Sequence, residues 1–381
     1  MTTHVDPAKS DLRQELDVWA EIDLGAIKRN VERIVAFVAP SRVLAVVKAN
    51  GYGHGGPQAA RAALKGGAEW LGVARVGEGE ALRDDGITAP VLLLAEPPPA
   101  QRRRALEAGL TPSVYTSEAA QDYSAAVISG SVAVHVKIDT GMHRYGLDPS
   151  QSKEFFDRLD QLERIEVQGL WTHLAVADDP GNPMNADQYQ TFLEVLEQLG
   201  SRAHGLIRHV CNSAAAFDFP EARMDMVRAG ISIYGISPFD DGRSPCPLEP
   251  ALCLKSRVGM VKRLSAGEAL SYGARHRLAR DSFVVTVPCG YADGLPRALG
   301  GRGDVLIRGK RHKISGTITM DHFLVDMGDD DAECGDEVVI IGGQGDEYIS
   351  AHEVASNLGT IPYEIVCGIS ARVPRIYGGM R

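Results

Sequence analysis

The sequence predicts an α/β protein with an N-terminal (β/α)8 TIM barrel and a C-terminal antiparallel β domain. Three observations lead there. A length of 381 residues makes two domains the default expectation. Between about residues 40 and 235, short apolar runs alternate with amphipathic stretches. From about residue 248 the texture changes to short alternating segments punctuated by Gly, Asp and Arg.

The apolar runs lie near 42–47, 70–74, 91–95, 111–115, 132–138, 165–171, 206–211 and 224–228. Helix-like segments fall between them at 57–64, 77–82, 101–107, 117–127, 152–162 and 186–199. Eight strands separated by helices suit a closed barrel, with an open doubly wound sheet as the alternative. A connector rich in Pro, Gly and Asp spans 237–247. Strand candidates follow at 254–261, 283–288, 304–307, 312–319, 323–326 and 337–341. The predicted domains are therefore 24–247 and 248–381, with the run 18–22 open to either.

Composition excludes several classes. No stretch reaches eighteen uncharged apolar residues, so no membrane span is expected. Residues 1–17 lack the apolar stretch of a secretory signal. The six cysteines are scattered without paired spacing, which suits free thiols in a reducing, cytoplasmic setting. A net charge of −10 disfavours nucleic acid as a partner.

Lys48 is the most informative residue. It follows a buried-strand pattern and precedes glycines at 51, 53 and 55. A lysine desolvated at a strand mouth can lose its proton and attack a carbonyl, although snorkelling from a strand end is the plainer reading. In a barrel of this kind, active sites sit at the C-terminal strand ends, and phosphate often sits on the loops after strands 7 and 8. Those loops would carry Asn212, Ser213, Gly230 and Ile231. A hydroxyl at a helix start and a glycine allowing close backbone approach can hold an anion, but a cap and a turn would use the same residues. Lys137, Asp139, Arg144, His173 and Arg228 also fall at strand ends. Each alone reads as a structural group; together they read as a site.

Nine segments resemble alanine racemase motifs in order and spacing. They lie at 45–55 (Ala-Val-Val-Lys-Ala-Asn-Gly-Tyr-Gly-His-Gly), 137–146, 171–178, 209–215, 228–235, 271–273, 290–294, 320–321 and 362–375. The resemblance implies a fold-type III enzyme dependent on pyridoxal 5′-phosphate (PLP), with a barrel, a β domain and a head-to-tail homodimer that shares its active sites. It implies that Lys48 carries PLP, and that Tyr52, Ser213, Gly230, Ile231 and Tyr363 hold the phosphate, with Asn212 beside them. Arg228 would face the pyridine nitrogen next to His173. Arg144 would meet the PLP phenolic oxygen and the substrate carboxylate, steadied by Lys137, a position often carbamylated. Tyr272, Met320 and Asp321 would come from the other subunit.

Racemisation needs a base on each face of Cα, and Lys48 and Tyr272 supply two. The implied activity is the interconversion of L- and D-alanine, supplying D-alanine for peptidoglycan. Alternatives are a broader amino-acid racemase, such as one acting on serine, and a PLP-binding homeostasis protein. Two positions depart from the family pattern. Thr317 stands where arginine is common, and Thr319 where Cys or Ser is usual. Both bear on the substrate corridor.

Overall fold

The computed structural model describes residues 12–380. Residues 27–249 form one compact unit, and the segments on either side form the other. The first strand, β1 (Val18–Asp23), belongs to the second unit.

The barrel strands are β2 (Arg42–Val46), β3 (Trp70–Val73), β4 (Val91–Leu93), β5 (Thr111–Val114), β6 (Val132–Lys137), β7 (Ile165–Trp171), β8 (Ile207–His209) and β9 (Met226–Ala229). Each expected run is a strand. They run parallel in the order β8-β7-β6-β5-β4-β3-β2-β9. The ring closes across β8 and β9 through single backbone bonds rather than a ladder. Asp225 N–H donates to Arg208 O (3.1 Å) and Arg228 N–H to Cys211 O (3.0 Å). Strands covered on both faces are apolar throughout, as in β2, where Val43, Leu44 and Ala45 are buried.

The six expected helices are present, with ends shifted by a few residues. The barrel unit has two more, and only the start of the second, at Ser213, was expected. Leu24–Val38 buries Ile27, Val31, Ile34 and Val38, an apolar stripe at helical spacing. Its buried Asn30 donates to Ile233 O (3.2 Å) and Glu249 O (2.8 Å) and accepts from Glu249 N–H (2.8 Å). That amide fastens the first barrel helix to the last barrel segment. The second, Ser213–Asp218, is only six residues long, too short to leave a periodic signal.

The second unit contains β10 (Leu252–Arg257), β11 (Met260–Leu264), β12 (Ala269–Leu270), β13 (His276–Arg277), β14 (Ser282–Val287), β15 (Asp304–Ile307), β16 (Lys310–Ser315), β17 (Phe323–Gly328), β18 (Glu337–Gln344), β19 (Glu347–Ile349) and β20 (Arg375–Gly378). The expected run 254–261 is two strands, because the chain breaks at Val258-Gly259. The main sheet runs β11-β14-β17-β16-β15-β18-β10-β1-β20. It is antiparallel except at one edge, where β1 pairs parallel with β20. β1 is antiparallel to β10, with Ala20 opposite Leu254. Val285, Val305, Leu306, Ile314, Val325 and Val339 are fully buried within this unit. β12 and β13 make a separate hairpin whose turn carries Tyr272. No helix among the described residues is long and apolar enough to cross a membrane. None of those residues form a cluster of three or more His, Cys, Asp or Glu suited to a metal ion.

Candidate active site

The C-terminal ends of the barrel strands bring together Lys48, Tyr52, Lys137, Arg144, His173, Asn212, Ser213, Arg228, Gly230 and Ile231. Lys48 follows β2 by two residues. The sequence reading made the glycine-rich segment after it a loop. It is a left-handed turn, with φ of 52° at Ala49 and Asn50, 62° at Gly51 and 51° at Tyr52. Non-glycine residues there cost roughly 1–2 kcal/mol each, so the turn needs restraint. Gly51 N–H donates to Val47 O (2.9 Å) and Gly55 N–H to Asn50 O (2.8 Å). Asn50 Oδ1 accepts from Gly56 N–H (2.9 Å).

Glu78 adds the restraint that sequence reasoning missed. Its carboxylate accepts from Ala49 N–H (2.7 Å) beside Lys48, and from Ala74 (2.8 Å) and Arg75 (3.0 Å) N–H at the start of its own helix, Val76–Asp84. The available signal was a glutamate three residues into a helix, where a carboxylate reaches back to free backbone donors.

The loops after β8 and β9 form a cradle. Asn212 caps the helix Ser213–Asp218, its Oδ1 accepting from Ala215 N–H (3.0 Å). Gly230 N–H donates to Ser213 Oγ (2.8 Å), and Ser232 Oγ lies 3.0 Å from the same oxygen. A Cβ added at Gly230 would sit 2.8 Å from Tyr52 Oη. Close approach therefore favours glycine there, as does a backbone at φ −107°, ψ −99° outside the main allowed regions. Tyr52 leans on Tyr234 (5.1 Å between rings), whose hydroxyl donates to Val46 O (3.0 Å).

Arg228 lies at the floor, 3% exposed. Its guanidinium donates to the carbonyls of His209 (2.8 Å), Thr172 (2.7 Å) and Val210 (2.8 Å). It also reaches His209 Nδ1 and His173 Nδ1, both at 3.1 Å. Among the described residues no carboxylate forms an ion pair with it. Burial lowers its pKa to about 9, which still leaves it charged at neutral pH. Since guanidinium only donates, both histidines accept at Nδ1 and carry their proton on Nε2. His209 Nε2 then donates to His135 Nδ1 (2.9 Å). Burial, then the Arg228 charge, holds His173 and His209 well below the usual imidazole range.

Trp171 ends β7 beneath two cations. Lys137 Nζ is 4.8 Å and Arg228 Cζ 4.7 Å from its rings, and His209 stacks on it at 5.5 Å. Lys137 is buried. Burial first, then Arg144 and Arg228, lowers its pKa to about 8. Asp139 turns the following loop, accepting from Gly141 (3.1 Å) and His143 (3.0 Å) N–H. The exposed Arg144 lies in that loop.

Tyr272, Met320 and Asp321 belong to the second unit, where they line one cavity of about 1030 Å³ with Tyr291. Tyr272 is 74% and Met320 53% exposed. Asp321 is paired with Arg372 (2.8 Å), which also holds the buried Asp293 (2.9 Å). Arg372 was read only as part of a motif. Tyr363 is half-buried on the helix Pro362–Gly368 in the same unit. At the two departures from the family pattern, Thr317 Oγ1 donates to Tyr272 O (2.8 Å) and Thr319 Oγ1 to His322 O (2.8 Å).

Residues 22–238 match the alanine racemase N-terminal domain family, and residues 251–377 the C-terminal domain family. The chain is 46% identical over 375 residues to the alanine racemase of Symbiobacterium thermophilum, covering 97% of this chain and 99% of that one. The crystal structure of alanine racemase from D-cycloserine-producing Streptomyces lavendulae superposes with a TM-score of 0.90 at 37% identity, covering 96% and 98% of the two chains. That of Bacillus anthracis, solved with bound L-Ala-P, gives 0.89 at 39% identity, covering 96% of each. With both domains matched along almost their full length, the chain belongs to the alanine racemase family.

Proposed function

We propose that this chain interconverts L- and D-alanine with PLP held at the C-terminal end of the barrel. The observation that carries this reading is the Gly230 cradle lying beside a buried cation. Gly230 N–H, Ser213 Oγ and Tyr52 Oη come close together there, a set of donors suited to a phosphate. Arg228 is a donor-only group suited to an unprotonated ring nitrogen. Lys48 supplies an amine at the strand mouth. These groups fit PLP, with Ile231 and Tyr363 completing the phosphate contacts and Asn212 and His173 beside them.

PLP, when bound, supplies the electron sink that makes the Cα proton of an amino acid acidic. The protein groups do the rest. Lys48 Nζ takes or returns a proton on one face of Cα, and Tyr272 Oη of the partner subunit does so on the other. Removal by one and delivery by the other inverts the centre, and proton exchange with solvent returns both groups to their starting protonation before the next turnover. Arg144 holds the substrate carboxylate, with Met320 and Asp321 of the partner subunit closing the pocket. Lys137, carbamylated, would place a negative charge beside Arg144. The working form is then a homodimer with shared sites. A cytoplasmic role in supplying D-alanine for peptidoglycan follows from this activity.

The test is turnover of single-enantiomer amino acids with and without PLP. L-alanine should give D-alanine, and borohydride reduction should fix the cofactor to Lys48, as read by peptide mass spectrometry. Fixation to another lysine would overturn the assignment, and equal turnover of serine would make the chain a broader racemase.

A further inference from the structure

Tyr145 has no part in the chemistry above, yet the loop that carries it is built around Lys137. β6 ends on Lys137. The chain leaves there and returns at Leu147, whose N–H donates to Lys137 O (2.8 Å) and whose carbonyl accepts from Asp139 N–H (2.9 Å). Gly146 permits the return. Its φ is 140°, and a Cβ on it would lie 2.6 Å from Asp139 N. The loop is thus pinned at its base, and Tyr145 sits just before the pin. Its ring centroid is 5.9 Å from Lys137 Nζ, and that of Trp171 is 4.8 Å away. The amine therefore has one aromatic ring from β7 and one from its own loop.

Tyr145 is braced in turn. It stacks on Tyr115 with 5.8 Å between centroids and 26° between planes. Tyr115 follows β5 and is fixed by Glu96, just beyond β4. Glu96 N–H donates to Tyr115 Oη (3.2 Å). The Glu96 carboxylate accepts from Tyr115 N–H, Thr116 N–H (2.8 Å) and Thr116 Oγ1 (2.8 Å). Burial raises the Tyr115 hydroxyl to about 12, so the brace is itself poorly hydrated.

Lys137 is 3% exposed. The titratable groups facing it are Arg144 and Asp139 from its own loop, Arg228 from β9, Lys48 beyond β2, and His173 beyond β7. Burial outweighs all of these charges in depressing its pKa. A ring at 5.9 Å is at the outer reach of a cation–π contact and attracts the ammonium only weakly. The main effect of Tyr145 is then to exclude water, which disfavours the ammonium.

We propose that Tyr145, braced by Tyr115, is the cover that keeps water off the Lys137 amine and so governs its reaction with carbon dioxide. In that reaction the neutral nitrogen bonds to carbon, one C=O electron pair moves to oxygen, and the displaced N–H proton goes to solvent. Tyr145 acts through Lys137 and is a positioning residue. The carbon dioxide half rests on the carbamylation proposed above; the cover does not.

The test is acetylation of the PLP-loaded enzyme by acetic anhydride across alkaline pH in bicarbonate-free buffer, read at Lys137 by peptide mass spectrometry. Carbamate is measured separately by NMR with isotope-labelled bicarbonate. Tyr145→Ala should raise the midpoint pH of acetylation by about one unit, toward the ordinary lysine value. That shift lowers the neutral share near pH 8 about fivefold, and the carbamate signal should fall with it. Tyr145→Phe keeps the ring and should keep the wild-type midpoint. Tyr115→Leu removes the brace and should move the midpoint the same way as Tyr145→Ala, by less. An unmoved midpoint in both Tyr145→Ala and Tyr115→Leu overturns the cover, as does a Phe variant that behaves like Ala. A moved midpoint with unchanged carbamate overturns the control of carbon dioxide uptake. A moved midpoint with no carbamate even in the wild type overturns carbamylation and leaves the cover standing.

Discussion

Lys137 should weaken the fold at neutral pH, and the effect can be removed in two independent ways. Its pKa falls from 10.5 to about 8, chiefly through burial and then through Arg144 and Arg228. The protonated form is then about 3 kcal/mol less favourable in the folded chain than in the unfolded one. Below about pH 8 both states hold the proton and the folded chain carries the whole penalty. Between about 8 and 10.5 the unfolded chain binds more protons, so stability rises with pH across that window. Lys137→Met keeps the length and removes the charge, at the loss of roughly 0.5–1 kcal/mol of cation–π contact with Trp171. A net gain of about 2 kcal/mol corresponds to roughly 4–8 °C for a unit of this size. The assay is the melting temperature of both proteins from pH 7 to 10 in bicarbonate-free buffer. The variant should lead at pH 7, and the gap should close toward pH 10. Adding bicarbonate should raise the wild type alone, because a neutral amine can form a carbamate. A gap that is constant with pH would refute the depressed pKa. A wild type indifferent to bicarbonate would refute carbamylation.

Other perturbations test the site itself. Gly230→Ala places a Cβ 2.8 Å from Tyr52 Oη, and should weaken PLP binding about tenfold or more by fluorescence titration. Glu78→Gln leaves one oxygen to serve three N–H groups, so amide exchange across 49–55 should quicken about tenfold; unchanged exchange would show that the turn holds itself. Arg228→Glu should lower racemisation and raise conversion of PLP to its amine form, measured by mass spectrometry; normal racemisation would remove Arg228 from the ring nitrogen. Lys48→Ala and Tyr272→Ala homodimers should each be nearly inactive, and their verified heterodimers should regain up to about half the activity per dimer. Heterodimers without recovery, from variants that fold, would sink the shared-site reading.

Strand positions were legible because buried parallel strands are mostly apolar runs, as β3 and β4 are. The residues at their C-terminal ends were legible because polar groups there are conspicuous against such runs. What sequence did not disclose is how those groups are held. The left-handed turn after Lys48 contains Ala49, Asn50 and Tyr52, residues whose local preference is for other conformations. It is tied to Glu78, some thirty positions away in the chain. The His173–Arg228–His209–His135 sequence of hydrogen bonds joins four different strand ends, and no spacing encodes it. The parallel pairing of β1 with β20 joins strands more than three hundred residues apart, and local pattern carries no information about partner or direction.

That pairing has a consequence for the birth of the molecule. On the ribosome β1 emerges first, with Trp19, Ala20 and Ile22 destined for burial. Its neighbour β10 begins more than two hundred residues later, and β20 more than three hundred. The barrel can be completed during synthesis, since domains generally fold as units as they emerge. β1 must wait with open edges until β10 and then β20 have been made. An interval of that kind exposes the nascent chain to mispairing, and slowing translation between β1 and β20 should lengthen it.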